Sequence, residues 1–249
     1  MTAVDRRLGL HPAGLTIDPV FAGQQGRPDL PVDVLAFRLD VNPEAVAAAE
    51  SLLSQEERQR ANRFVQARDR RRYIVARATL RSLLSERLGT EPASIAFRYG
   101  AHGKPELAPA HAALNLRFNL SHSDEMAAFA LAVGHDIGID LERVRSMPDL
   151  DRLAADTFSA RENEALQSVE PARKLLAFFS GWTRKEAFVK ALGSGLGYPL
   201  DSFDVSLAPD EPARILRLSG EHGDPTLWHM ESFSPAAGFV AALVVDARR

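Results

Sequence analysis

Apolar and polar positions alternate over Val32–Leu39 with the two-residue period of a strand. Ser54-Gln-Glu-Glu57 carries the Ser-x-x-Glu signature of a helix start and predicts a helix through about Phe64. Asp69 is placed to cap the next helix, whose stripe of Tyr73, Ala76, Leu80, Leu84 and Leu88 stops at Gly89. Arg70, Arg77 and Arg81 share a neighbouring face of that helix. Beyond a Pro- and Gly-rich stretch at 100–109, short strands are predicted at Leu114–Leu120, Met126–Val133 and Ile137–Glu142. Turns are expected at Ser121–Glu125 and Gly134–Asp136.

The order then returns. Phe158-Ser-Ala-Arg-Glu162 echoes Leu53-Ser-Gln-Glu-Glu57, and a long helix over Ala172–Leu192 ends in Gly193, Gly195 and Gly197. Strand-like segments at Phe203–Leu207, Arg214–Leu218, Trp228–Phe233 and Phe239–Val245 close the chain. The expected fold is α+β, with two similar α/β subdomains related by a pseudo-twofold. The expected division is a loosely structured lead-in over 1–31, an N-terminal subdomain over 32–136 and a C-terminal one over 137–249.

Composition narrows the function. The 249 residues are 45% hydrophobic and 25% charged, as in ordinary globular proteins. The absence of Cys excludes disulfide frameworks, thiolate nucleophiles and Cys-ligated metal sites. The longest apolar stretches are too short to span a bilayer and the N-terminus has no signal-peptide pattern, so a cytoplasmic protein is expected. A net charge of −3 offers no global field for nucleic acid or membrane. Between Arg58 and Arg87, however, ten Arg face two acids. That patch suits a small polyanion such as a phosphate ester, or is simply a solvated helix face.

Three acids are candidates for chemistry. On a strand, Asp140 and Glu142 of Ile137-Gly-Ile-Asp-Leu-Glu142 point to one face, and such hard oxygen donors favour Mg²⁺. A solvated strand face is the plainer account. Glu186 falls on the apolar stripe of Phe179, Trp182 and Val189, an expensive place for an unpaired carboxylate. It either pairs with Lys190 one turn on, or joins the other acids in a Mg²⁺–diphosphate site flanked by Lys185 and Lys190. Gly103-Lys-Pro105 holds a Lys in a stiff turn, and Asn119-Leu-Ser-His-Ser123 presents hydroxyls and an imidazole.

These segments, in order, resemble the 4′-phosphopantetheinyl transferase superfamily in its two-domain form. Trp182-Thr-Arg-Lys-Glu-Ala-Phe-Val-Lys190 runs on into Gly193-Ser-Gly-Leu196 and Pro199-Leu-Asp-Ser-Phe203, and Phe64-Val-Gln-Ala-Arg68-Asp lies upstream. The resemblance covers about 52–245 and implies two similar α/β subdomains binding CoA and Mg²⁺ (or Mn²⁺) between them. It implies transfer of phosphopantetheine from CoA to a Ser of an apo carrier protein, releasing adenosine 3′,5′-bisphosphate. Asp140, Glu142 and Glu186 would be metal ligands, Glu186 the base and Lys190 the leaving-group lysine. Arg68, Arg72, Arg77, Lys104, Ser121, His122 and Lys185 would hold CoA phosphates. Several relatives carry basic residues where Glu57 and Tyr73 stand here. The expected partners are CoA and acidic carrier domains of polyketide, peptide, siderophore or fatty-acid synthases, with no nucleic acid or membrane, and the protein is expected to be a monomer. A Mg²⁺ phosphodiesterase and a CoA-binding module without transfer use the same residues.

Overall fold

The computed structural model describes residues 19–25, 29–219 and 223–248. Of the expected lead-in, residues 1–18 and 26–28 lie outside the described residues, while Pro19–Gln25 form a strand, β1, instead of loose chain. There follow β2 (Val32–Arg38), α1 (Pro43–Ser51), α2 (Gln55–Ala61), α3 (Ala67–Leu88), β3 (Phe97–Tyr99), β4 (Pro105–Leu107), β5 (Leu116–Ser123) and β6 (Met126–Val133). Then come β7 (Ile137–Arg143), α4 (Leu150–Thr157), α5 (Ala160–Gln167), α6 (Pro171–Leu192), β8 (Asp204–Val205), β9 (Ile215–Arg217), β10 (Trp228–Phe233) and β11 (Phe239–Asp246). From β2 to β6 and again from β7 to β11, the order is one strand, three helices, a short hairpin and two strands. The fold is α+β.

Two antiparallel sheets, β1-β2-β6-β5 and β10-β11-β7, carry the architecture. Strand period sorts their side chains. Leu35 and Phe37 of β2 face the helices with Ile74, Leu80 and Leu84 of α3. Val34 and Ala36 face the other way, into a core shared with Ile137, Ile139, Leu141, Ala241 and Leu243 of the second sheet. Burial on both faces explains why β6 and β11 read as almost unbroken apolar runs. β1 pairs with β2, and its Phe21 stacks on Phe233 of β10 at 4.9 Å, so it ties the two sheets together.

Both expected capping boxes form. Ser54 and Ser159 accept from the backbone N–H groups of Glu57 and Glu162, whose carboxylates accept back from the serine N–H groups at 3.0 and 2.9 Å. α3 begins at Ala67, two residues before the expected cap, leaving Asp69 in the first turn where its charge suits the helix dipole. α2 stops at Ala61, short of Phe64. The larger departure concerns β5. It runs through Ser123, and a two-residue turn at Asp124 and Glu125, with φ +50° at Asp124, closes the hairpin. Ser121, His122 and Ser123 therefore stand on a strand and not in the expected turn.

Gly138 explains how α6 reaches β7. A Cβ there would lie closer than 3 Å to backbone atoms of Ala187, Lys190 and Ala191, so only glycine lets the helix backbone seat on the strand. That close approach puts the next residues on the same face, Asp140 and Glu142, beside the last turns of α6.

Candidate active site

The structure brings five of the expected groups, Ser121, Asp140, Glu142, Glu186 and Lys190, together where α6 crosses β7. Asp140 is buried, and its Oδ1 accepts from Lys190 Nζ at 2.5 Å and from Ser121 Oγ at 2.8 Å. Its Oδ2 is also buried and has no hydrogen-bond partner. Lys190 thus pairs with Asp140, across the helix–strand contact, while Glu186 stands one turn back on the same helix. Burial raises the pKa of Glu186 above the ordinary carboxylate range, and the nearby Asp140 charge adds to the effect. Burial also raises Glu142, opposed by its hydrogen bond from Ser123 Oγ at 2.6 Å and reinforced by Asp140. Three carboxyl groups thus gather around the Lys190 ammonium.

On the opposite face of β5, His122 lines a cavity of about 620 Å³ with Arg72, Arg77, Tyr73, Tyr99 and Gly103. Desolvation lowers the pKa of its imidazole, and the Lys190 ammonium lowers it further. Arg72 crosses the cavity edge, held by Asp40 at 2.7 and 2.8 Å and by Asp124 at 2.9 Å. Arg77 is committed on one side to Glu57, at 2.5 Å, and donates to Tyr99 Oη at 3.0 Å on the other. Arg60, absent from the sequence-derived set, also lines this cavity and lies over the Tyr73 ring at 5.6 Å.

Other expected residues go elsewhere. Arg68 is exposed on the surface and contacts Asp69 at 3.3 Å. Lys104 Nζ donates to the carbonyls of Ile137 at 3.0 Å and Lys190 at 2.6 Å, so two of its three protons bind backbone. Burial lowers its pKa. Ser121 Oγ donates to Asp140 and accepts from Leu141 N at 3.3 Å and Lys190 Nζ at 3.0 Å, which uses its whole bonding capacity and leaves none for a phosphate.

Lys185 is corrected most clearly. Its ammonium is fully buried, 2.7 Å from Glu162, and donates to the carbonyls of Leu200 and Phe203 at 2.6 Å each. The fold repeat explains this placement. Arg81 stands fourteen residues into α3 as Lys185 does into α6, and it clamps Glu57 while donating to the carbonyls of Pro92 and Ile95. Each half thus ties its capping-box glutamate to its long helix and to the segment after it. Lys185 is an anchor, not a phosphate ligand.

Two stability predictions follow from these clamps. Lys185→Met leaves Glu162 buried without its cation and should cost about 3–5 kcal/mol, lowering Tm by about 10 °C in thermal unfolding. A drop below about 2 °C would show that the pair is dispensable. In the other clamp, desolvation raises the Glu57 pKa but the Arg81 and Arg77 contacts outweigh it, so the net pKa is depressed. Its contribution is complete above the ordinary value of 4.5 and is lost as pH falls below that. Glu57→Gln should therefore lower stability at pH 7 and flatten the acid limb of unfolding below pH 4.5. An unaltered acid limb would contradict the assignment.

The repeated fold, with a carboxylate–lysine centre where its second long helix meets the edge strand β7, defines an α+β protein with two like halves. Two family models match it: 4′-phosphopantetheinyl transferase, N-terminal, over 41–133, and the 4′-phosphopantetheinyl transferase superfamily over 136–244. The 4′-phosphopantetheinyl transferase HetI of Nostoc sp. is 40% identical over 78% of both chains. A 4′-phosphopantetheinyl transferase of Bacillus subtilis is 34% identical over 64% of this chain and 68% of its own. The human L-aminoadipate-semialdehyde dehydrogenase-phosphopantetheinyl transferase is 32% identical over 62% of this chain and 52% of its own. This chain belongs to the 4′-phosphopantetheinyl transferase superfamily, in its two-domain type, and is a transferase.

Among the described residues, no three His, Cys, Asp or Glu side chains form a ready-made metal cage, and no helix is long and apolar enough to cross a membrane. The sequence assigns Ser123 no role of its own within its motif and does not mark Arg60. Ser123 was legible as the third member of the two-residue repeat Asn119, Ser121, Ser123; Arg60 had no signal beyond its place in an Arg-rich run.

Proposed function

We propose that this protein transfers the 4′-phosphopantetheine arm of CoA to the Ser hydroxyl of an apo carrier protein, releasing adenosine 3′,5′-bisphosphate. The chain then works as two subdomains, 32–136 and 137–249, with one site between them. The observation that carries the reading is the buried, unpartnered Oδ2 of Asp140 beside two carboxylates whose proton affinity is raised. A divalent cation would balance such a cluster. Its donors are hard oxygens, and Mg²⁺ commonly takes only one or two carboxylates and fills its shell with water and phosphate oxygens. An incomplete protein cage is consistent with that habit. Asp140, Glu142 and Glu186 would hold Mg²⁺ (or Mn²⁺), which when bound supplies charge neutralisation at the diphosphate.

The chain's own groups divide the rest of the work. Glu186, half-buried and with raised proton affinity, takes the proton from the carrier Ser as it attacks the β-phosphorus. Lys190 offers an ammonium to the leaving phosphate oxygen. Arg60, Arg72, Arg77 and His122 line the 620 Å³ cavity with N–H donors that would receive the nucleotide. The loop over 62–66 and the start of α3 are exposed through Arg68, with Val65 at 96% between Arg63 and Arg68, an apolar and cationic rim suited to an acidic carrier helix. Carriers of polyketide, peptide or siderophore synthases, met in the cytoplasm by a monomer, complete the reading.

The test is intact mass spectrometry of an apo carrier incubated with protein, CoA and Mg²⁺, with a chelator control. The expected result is a chelator-sensitive gain of one phosphopantetheine arm. CoA cleavage without labelling would establish a phosphodiesterase instead, and CoA binding without either product a binding module.

A further inference from the structure

β7 pairs by backbone with β11 on one edge only; its other edge faces β5, the last strand of the other sheet. A buried strand edge leaves N–H groups that need acceptors. No backbone ladder joins β5 to β7. Instead, alternate side chains of β5 take the amides in sequence: Asn119 Oδ1 accepts from Ile139 N at 2.8 Å, Ser121 Oγ from Leu141 N at 3.3 Å and Ser123 Oγ from Arg143 N at 3.1 Å. All three side chains are buried.

The two serines do something the Asn does not. Each hydroxyl, having accepted from one amide, donates to the carboxylate of the residue just before it. Ser121 donates to Asp140 Oδ1 at 2.8 Å and Ser123 to Glu142 Oε2 at 2.6 Å. Because a hydroxyl has a single proton, accepting from β7 and donating to its carboxylate aims each bond in one direction. The register of β5 against β7 is thereby converted into the orientation of two acids.

We propose that Asn119, Ser121 and Ser123 form a side-chain ladder closing the seam between the two sheets, and that Ser121 and Ser123 are positioning residues that orient Asp140 and Glu142. The positioning part rests on the metal-site reading above; the seam does not. Ser123 is the cleaner probe, since Ser121 also touches Lys190. Asn119 is the internal control: it makes a rung of the ladder but touches neither acid.

The experiment compares full-length wild type with Ser123→Ala, Ser123→Thr and Asn119→Ala. Hydrogen exchange on the metal-free proteins reads the seam. Mn²⁺ binding in the presence of CoA, followed by electron paramagnetic resonance of the free ion, reads the acids. Ser123→Ala should speed exchange at Arg143 and weaken Mn²⁺ binding by roughly 10–100-fold, the usual effect of losing a group that orients a metal ligand. Ser123→Thr should restore both. Asn119→Ala should speed exchange at Ile139 while leaving Mn²⁺ affinity within about twofold. Unchanged exchange at Arg143 in Ser123→Ala would overturn the ladder. Equal Mn²⁺ losses in Asn119→Ala and Ser123→Ala would overturn the positioning role, as would wild-type affinity in Ser123→Ala. If the wild type itself fails to bind Mn²⁺, the metal reading and the positioning role fall together, and exchange alone still decides the ladder.

Discussion

Glu186→Gln should cut carrier labelling by about 10²–10⁴-fold, the range a positioned general base contributes, while CoA still binds. Gln keeps the shape of the side chain and removes its negative charge. Because burial and Asp140 already raise the proton affinity of Glu186, the neutral isostere should leave Tm unchanged or slightly higher. The combination is diagnostic. A Glu186 that only supported the helix through an i,i+4 pair with Lys190 would lose a few tenths of a kcal/mol and keep its turnover. Single-turnover labelling read by intact mass, beside calorimetric CoA titration and thermal unfolding, separates the cases. Wild-type turnover would remove Glu186 from the base role.

Gly138→Ala should damage stability and chemistry together. The added Cβ meets backbone atoms of Ala187, Lys190 and Ala191, which cannot swing aside as a flexible side chain would. Overpacking of this kind costs about 1–3 kcal/mol, or roughly 3–10 °C in Tm. The larger consequence lies at the site. Gly138 is where the strand bearing Asp140 and Glu142 touches the helix bearing Glu186 and Lys190. A shift of about 1 Å there should cost on the order of 10² in kcat at temperatures where the variant is fully folded. Near-normal kcat in a folded Gly138→Ala variant would mean that the two elements tolerate separation.

Local signals made much of this architecture legible. Ser54-x-x-Glu57 and Ser159-x-x-Glu162 mark helix starts because a hydroxyl and a carboxylate three residues apart satisfy each other's amides wherever the chain lies. Met126–Val133 forms a strand with the expected limits, and Ile137–Arg143 differs by one residue at its end. Elements held by tertiary context were harder to read. α1 and α4 escaped notice, as did β1, which is a strand because β2 supplies its ladder and Phe233 its apolar partner.

The site divides in the same way. The acids at 140, 142 and 186 and Lys190 stand out in sequence because a strand face and a helix stripe have fixed periods. The destinations of the cations do not. Lys185 and Lys190 are five residues apart on one helix, yet one ammonium ends in a closed pocket with Glu162 and the other on Asp140. Arg77 and Arg81 turn to Glu57, which sits in their path only because α2 packs against α3.

The sequence by itself determined the capped helices, the strands with a clear period and a set of candidate ionisable groups, since these depend on short-range geometry that every folded chain obeys. The tertiary structure alone decided which charges neutralise one another and which stay free to act. That choice is made across contacts between distant segments, where burial sets the cost of each unpaired group and the nearest partner is fixed by packing.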